Sequence, residues 1–122
     1  MYAERYAVTI TTSAGGVGIG YTPVITGKII SIRYVKTDYV AGVDFTITAE
    51  ATGETIWTQL DVNASATVAP RQATHDTAGV AALYAAAGAA VRDDIVLADD
   101  RVKIEIAAGG DPKVGIFHVI VG

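Results

Sequence analysis

The sequence predicts an all-β fold, namely a single-domain β-sandwich or jelly-roll-like barrel of about seven or eight strands. The first observation is that apolar residues recur at every second position over 43–50 and 101–106, the period of a strand with one buried face. The second is that Gly, Asp and Pro, which favour turns, separate most such segments, as over 108–112. The third is length, because 122 residues suit one domain, 1–122, with one core.

The first half of the chain contains four predicted strands, at 5–12, 28–37, 43–50 and 55–62. A Thr-Gly-Glu turn at 52–54 joins the last two into a hairpin. A fifth strand is predicted at 63–69, and Pro70 ends it because proline has no backbone N–H to donate to a sheet.

Trp57 falls on the opposite side of its predicted strand from Ile56 and Val62. If the aliphatic side faces the core, Trp57 points away from it. Two interpretations follow. Trp57 packs against a covering loop, or it contacts another subunit, since Trp is enriched among the residues that dominate protein interfaces.

Two segments lack a strand pattern. Residues 13–22 carry four glycines and are predicted to form an exposed glycine-rich loop or arm. Residues 72–92 are predicted to form a long connection. Apolar residues fall at helical spacing within it, but Gly79, Gly88 and the many alanines between them would make a weak helix. A short helix and a loop therefore remain alternatives for this connection.

The last quarter of the chain, 95–121, predicts two or three further strands joined by tight turns. Within it, residues 116–121 are apolar on both faces. A strand of that kind needs neighbours on both sides, so it is predicted to lie centrally in a sheet or at a subunit contact.

The composition predicts contacts with other subunits, because apolar residues make up 51% of the chain and charged residues only 18%. A small sandwich buries only part of that apolar surface, and partners are expected to cover the rest. The predicted contact residues are aromatic: Tyr2, Tyr39, Trp57, Tyr84 and Phe117. The net charge of −4, with scattered Lys and Arg, argues against nucleic acid as a partner, and no apolar run is long enough for a membrane helix.

No pattern of catalytic residues is found, and no enzyme activity, cofactor or metal is predicted. His75 and His118 stand far apart in the sequence, and each is expected to have a local hydrogen-bonding role. The acidic pairs at 93–94 and 99–100 flank one short strand and could meet around Ca²⁺ or Mg²⁺. Solvated turns are the preferred interpretation of both pairs, because Asp is a favoured turn residue.

Four stretches carry a likeness to a known class of protein: Pro70-Arg71, LADDRVKIEIA at 97–107, Gly109-Gly110, and GIFHVIVG at 115–122. With them, the chain resembles the decoration or cement proteins of tailed bacteriophages in length, in its Gly/Ala/Thr/Val-rich composition and in its closing strand pattern. The likeness is not a residue signature, so it assigns no site residue.

The resemblance implies a non-enzymatic structural protein of the virion. Such a protein stabilises the head by bridging subunits of the major capsid protein, commonly as a homotrimer, and needs no cofactor. It would be made in the host cytoplasm and lie on the outer surface of the capsid. The alternative is a carbohydrate-binding or adhesion module of a tail or surface structure. That module requires a row of exposed aromatics, for which Tyr34, Tyr39 and Trp57 are available.

Overall fold

The computed structural model describes residues 2–122 as ten strands in two antiparallel sheets, with no helix among those residues. The strands are β1 (Glu4–Thr11), β2 (Gly18–Tyr21), β3 (Ile25–Val35), β4 (Val43–Ala49), β5 (Thr55–Val62), β6 (Ala66–Val68), β7 (Arg71–Ala73), β8 (Arg92–Asp100), β9 (Val102–Ala107) and β10 (Val114–Val121). The predicted all-β class is confirmed. The strand count exceeds the prediction because β2 and β7 lie in segments expected to be a loop and a connection.

The larger sheet has the strand order β1-β10-β3-β8-β7. Strand β3 is long enough to have two neighbours on one side: Ile25–Ile29 pairs with β8, and Ile32–Tyr34 pairs with β6. The smaller sheet has the order β2-β9-β4-β5. Strand β10 lies between β1 and β3, so the prediction that its apolar pattern places it centrally in a sheet is confirmed.

The glycine-rich segment 13–22 is not the exposed loop that was predicted. It turns at 13–17, where Ser13 N–H donates to the Val17 carbonyl at 2.9 Å, and then forms β2 against β9. A Cβ on Gly20 would lie 2.5 Å from a side-chain carbon of Ile10, and one on Gly18 would also crowd Ile10. These glycines therefore let β2 lie close beneath β1, which closes one side of the sandwich.

Four aromatic side chains form the centre of the core. The ring of Phe45 lies 5.1 Å from those of Tyr34 and Phe117 and 4.9 Å from that of Trp57, centroid to centroid. The Trp57 and Phe117 rings meet Phe45 edge to face, a favourable arrangement for aromatic pairs. Phe45 therefore joins side chains from both sheets.

Tyr39 reaches the edge of this cluster from the β3–β4 connection. Its ring stacks on Tyr34 at 6.2 Å, and its hydroxyl donates to the Ile10 carbonyl at 2.7 Å. Burial, with a smaller contribution from Tyr34, raises the pKa of Tyr39 to about 12. Burial also raises the pKa of Tyr34.

This shift predicts a loss of stability in alkali. Unfolded tyrosine loses its proton near pH 10, whereas folded Tyr39 keeps its proton to about pH 12. Below about pH 10 the ionisation of Tyr39 should therefore leave the free energy of unfolding unchanged. Between about pH 10 and 12 that free energy should fall by on the order of 2 kcal/mol. Urea unfolding across that range measures the loss. The fall should be shallower in Tyr39→Phe than in the wild-type chain. In the control Tyr84→Phe, which changes an exposed tyrosine, it should equal that of the wild type. Equal slopes in the three proteins would contradict the prediction.

Strand β5 contains two β-bulges that the sequence did not reveal. Ile47 pairs with Trp57 but Thr48 pairs with Thr55, so Ile56 is an extra residue. A second extra residue falls between Gln59 and Val62, where Asp61 adopts a φ of 56°. A bulge shifts the alternation by one position.

The first bulge makes the predicted orientation of Trp57 wrong. Ile56 and Trp57 are both buried, and only 8% of Trp57 is exposed. Leu60, which unbroken alternation would place on the same side as Ile56 and Val62, is 70% exposed. Neither interpretation of an outward Trp57 applies, because its indole fills the core beside Phe45 and its Nε1–H donates to Gln59 at 3.1 Å.

The predicted connection 72–92 contains no helix. Its ends join β7 and β8, and residues 74–91 between them form two successive hairpin turns, which we call the arm. Isolated bridges pair His75 with Ala81 and Leu83 with Ala90. Hydrogen bonds between successive stretches of the arm satisfy its backbone in place of a helix.

Candidate interaction surface

Hydrogen bonds within its own backbone order the arm. At its base, Thr74 N–H donates to the Val91 carbonyl at 2.9 Å. In the first turn, the Asp76 carboxylate accepts from the N–H groups of Ala78 at 2.8 Å and Val80 at 3.0 Å. Asp often supports turns in this way. The arm is therefore a defined structure, although it contributes no side chain to the buried core.

The outer surface of the arm is apolar. Tyr84 is 75% exposed, Val80 61% and Leu83 44%. Alanines and glycines fill most of the remaining positions, and Asp76 is the one carboxylate and His75 the one imidazole of the arm. Exposed apolar clusters of this kind, rimmed by polar groups, mark interaction sites in soluble proteins. The arm is the first candidate surface.

The five predicted contact residues divide into two groups. Tyr2 and Tyr84 are exposed, and their role in a contact remains a prediction. Tyr39, Trp57 and Phe117 are wrong as surface contacts, because less than a tenth of each is exposed. Their rings fill the space between the two sheets, a use that sequence alternation alone could not separate from a subunit contact.

The outer face of the larger sheet is the second candidate surface. The strand register places His118 of β10 beside Ala7 of β1 and opposite Arg33 of β3. Arg5 lies one row away, opposite Ile120. We call this surface the cationic face, and it comprises Arg5, Lys28, Arg33, Val35, Val96, Ile116, His118 and Ile120.

The cations of this face lack carboxylate partners. Within residues 2–122, no Asp or Glu oxygen lies within 4.0 Å of the charged nitrogens of Arg5, Lys28 or Arg33. Arg33 instead donates to the hydroxyl of Thr67 at 2.7 Å. At the centre of the face, His118 Nδ1 is buried and has no hydrogen-bond partner among the described atoms.

The outer face of the smaller sheet differs, because cations on it are paired with carboxylates. Arg101 forms an ion pair with Glu50 and lies 3.8 Å over the Tyr21 ring, and Lys103 pairs with Glu105 at 2.8 Å. A shallow groove of about 490 Å³ opens beside these residues, bounded partly by Val17, Ile19 and Asp44. Its walls bring together no nucleophile and base.

The residues considered for chemistry in the sequence do not converge. His75 lies in the arm and His118 in the larger sheet. Asp94 pairs with Arg71 at 3.0 Å, whereas buried Asp100, at the other end of β8, accepts from the N–H groups of Ala51 and Arg101. The preferred interpretation of both acidic pairs as solvated turns is wrong, because all four residues lie within β8 and Asp100 is buried.

Within residues 2–122, no group of three or more His, Asp or Glu side chains is arranged to hold a metal ion. The same residues include no helix with the length and apolar character needed to cross a membrane.

Sequence reasoning missed the cationic face, although part of its signal was present. Arg5, Arg33 and His118 each occupy the position opposite the core in an alternating segment. Only the pairing of β1, β10 and β3 brings these residues together, and the sequence does not reveal which strands pair. Comparison with models of known protein families gave no match, and a search of curated proteins found none with significant similarity.

Proposed function

We propose that this chain is a non-enzymatic structural protein of a virion, which decorates the outer surface of a capsid and bridges subunits of the major capsid protein. The free protein is proposed to be a homotrimer. Its binding requires no cofactor and no catalytic site, only surface that is complementary to neighbouring subunits.

The apolar arm is the observation that supports this proposal best. A catalytic or ligand-binding sandwich has no need for an ordered double hairpin that projects Val80, Leu83 and Tyr84 into water. Burying apolar surface contributes about 25 cal/mol per Å² before the entropy of association is subtracted. A projecting element that reaches a second subunit can obtain that contribution without rearranging the core.

The carbohydrate-binding alternative has lost its main support. It required a row of exposed aromatic rings, and the residues available in the sequence were Tyr34, Tyr39 and Trp57. All three are buried between the sheets. Sugar rings stack on exposed aromatic faces, which these residues do not offer.

Co-sedimentation with capsid shells tests the proposal. Shells assembled from the major capsid protein of the same genome are pelleted with increasing amounts of the purified chain. We expect saturable binding at a fixed ratio to the capsid subunits, and a trimer by analytical ultracentrifugation of the free chain. A chain that stays monomeric and does not pellet with the shells would overturn the proposal.

An armless variant tests the role of the arm. Replacing residues 75–90 by Asn-Gly joins Thr74 to Val91 through a two-residue hairpin turn, and these residues are already hydrogen-bonded. We expect this variant to fold and to bind shells at least about tenfold more weakly, a loss of about 1.4 kcal/mol or more. A full-length control, Thr77→Ala, changes an exposed arm residue but keeps the apolar surface and the Asp76 hydrogen bonds, and should bind as the wild type. Unchanged binding by the armless variant would show that another surface makes the contact.

A further inference from the structure

The cationic face has a charge opposite to that of the chain as a whole. The chain carries 9 Lys and Arg against 13 Asp and Glu, a net charge of −4. On the cationic face, however, Arg5, Lys28 and Arg33 have no acidic partner. Bordering this face, Asp94 is already paired with Arg71. Three of the nine cations, none of them paired with a carboxylate, therefore share one sheet surface of an acidic protein.

The spacing of these charges fits a broad, flat contact. Arg5 and Arg33 lie on strands separated by β10 and are offset by one row, which puts their backbones roughly 12 Å apart. Between them lie the half-buried side chains of His118 and Ile120, and half-buried Ile116 lies one row beyond Arg33. An apolar centre with charges at its rim is the usual arrangement of a protein interface.

The same spacing argues against two other occupants. A twofold contact between two copies of this face would bring its positive charges together, since such a contact joins identical patches. Polyphosphate recognition uses a continuous basic stripe, whereas aliphatic residues separate these cations, and the net charge of −4 repels a polyanion at long range.

We propose that the cationic face docks on a protein surface that presents carboxylates around an aliphatic centre, on the exterior of the major capsid protein. This inference rests on the function proposed above and adds the chemistry of the partner surface. The arginine guanidinium suits such a contact because it binds carboxylates through two parallel hydrogen bonds.

Charge reversal tests this assignment in the shell-binding experiment. We expect Arg5→Glu/Arg33→Glu to bind shells at least about tenfold more weakly than the wild-type chain, and wild-type binding to weaken steeply as salt rises. The control Lys36→Glu/Lys113→Glu changes the net charge equally, away from this face, and should bind as wild type. Thermal unfolding confirms that both variants are folded.

The outcomes separate this inference from the proposed function. If the wild-type chain does not bind shells, the proposed function fails and the inference fails with it. If it binds, but the Arg5/Arg33 variant binds equally and salt has no effect, only the inference is overturned. If that variant instead changes the oligomeric state of the free chain and not shell binding, the face joins copies of this chain, and the assignment to capsid carboxylates is wrong.

Zero-length carbodiimide crosslinking provides a second measurement, because it joins an amine only to a carboxylate in direct contact. We expect Lys28 to be linked to Asp or Glu residues of the capsid protein. Lys28→Arg keeps the charge but removes the amine, and should abolish that crosslink while shells still bind. Crosslinks formed only between acidic residues of this chain and capsid lysines would overturn the proposal.

Discussion

Phe45→Ala should lower the free energy of unfolding by about 3–5 kcal/mol, the range observed when a buried phenylalanine is truncated. The side chain contacts the rings of Tyr34, Trp57 and Phe117, so its removal leaves a cavity bordered by both sheets. Urea unfolding measures the loss. Trp57 is the one tryptophan of the chain, and its fluorescence should shift to longer wavelength and become more open to acrylamide quenching.

Thr46→Ala is the matched control for this prediction. Thr46 is the next residue of β4 and faces solvent. Its replacement should change the stability by no more than about 0.5 kcal/mol and leave the Trp57 emission unchanged. Equal losses in the two variants would mean that the ring cluster is not the centre of the core.

Gly115→Ala should have the second largest effect, a loss of about 2–4 kcal/mol from overpacking and a broken hydrogen bond. A Cβ at this position would overlap the ring of Tyr39. The ring cannot move away freely, because its hydroxyl is bonded to the Ile10 carbonyl. The backbone of Gly115 is not left-handed, so the expected cost is steric and not conformational.

A double-mutant cycle identifies that cause. In a Tyr39→Ala background the ring is absent, and Gly115→Ala should then cost less than about 1 kcal/mol. Urea unfolding of the four proteins gives the coupling free energy. If Gly115→Ala is equally costly in both backgrounds, the contact with Tyr39 is not responsible.

The strands that could be predicted are those with an unbroken period of two. Over 43–50 and 101–106 the alternation assigns every core position correctly, because β4 and β9 pair with each other without a bulge. The fold class follows from such strands and the turns between them. The orientation of Trp57 in β5 could not be predicted in this way, because bulges depend on the partner strand, which local sequence does not specify.

The backbone structure of the glycine-rich segment and of the arm could not be predicted for a different reason. Glycine is needed at positions 18 and 20 because the side chain of Ile10, on another strand, lies against their backbone. In the arm, apolar residues at helical spacing left a short helix and a loop as alternatives. Hydrogen bonds between successive extended segments satisfy the backbone there, and no helix forms. Likewise, the cationic face exists only once β1, β10 and β3 are adjacent.

The bulged strand β5 also forms the free border of the smaller sheet. Its two extra residues interrupt the regular row of N–H and C=O groups, and the Asp44 carboxylate occupies the N–H of Asp61 at 2.9 Å. An extended segment of another molecule would have no regular row of backbone groups there with which to pair. Concentrated stocks should accordingly resist the growth of amyloid-like fibrils from this border.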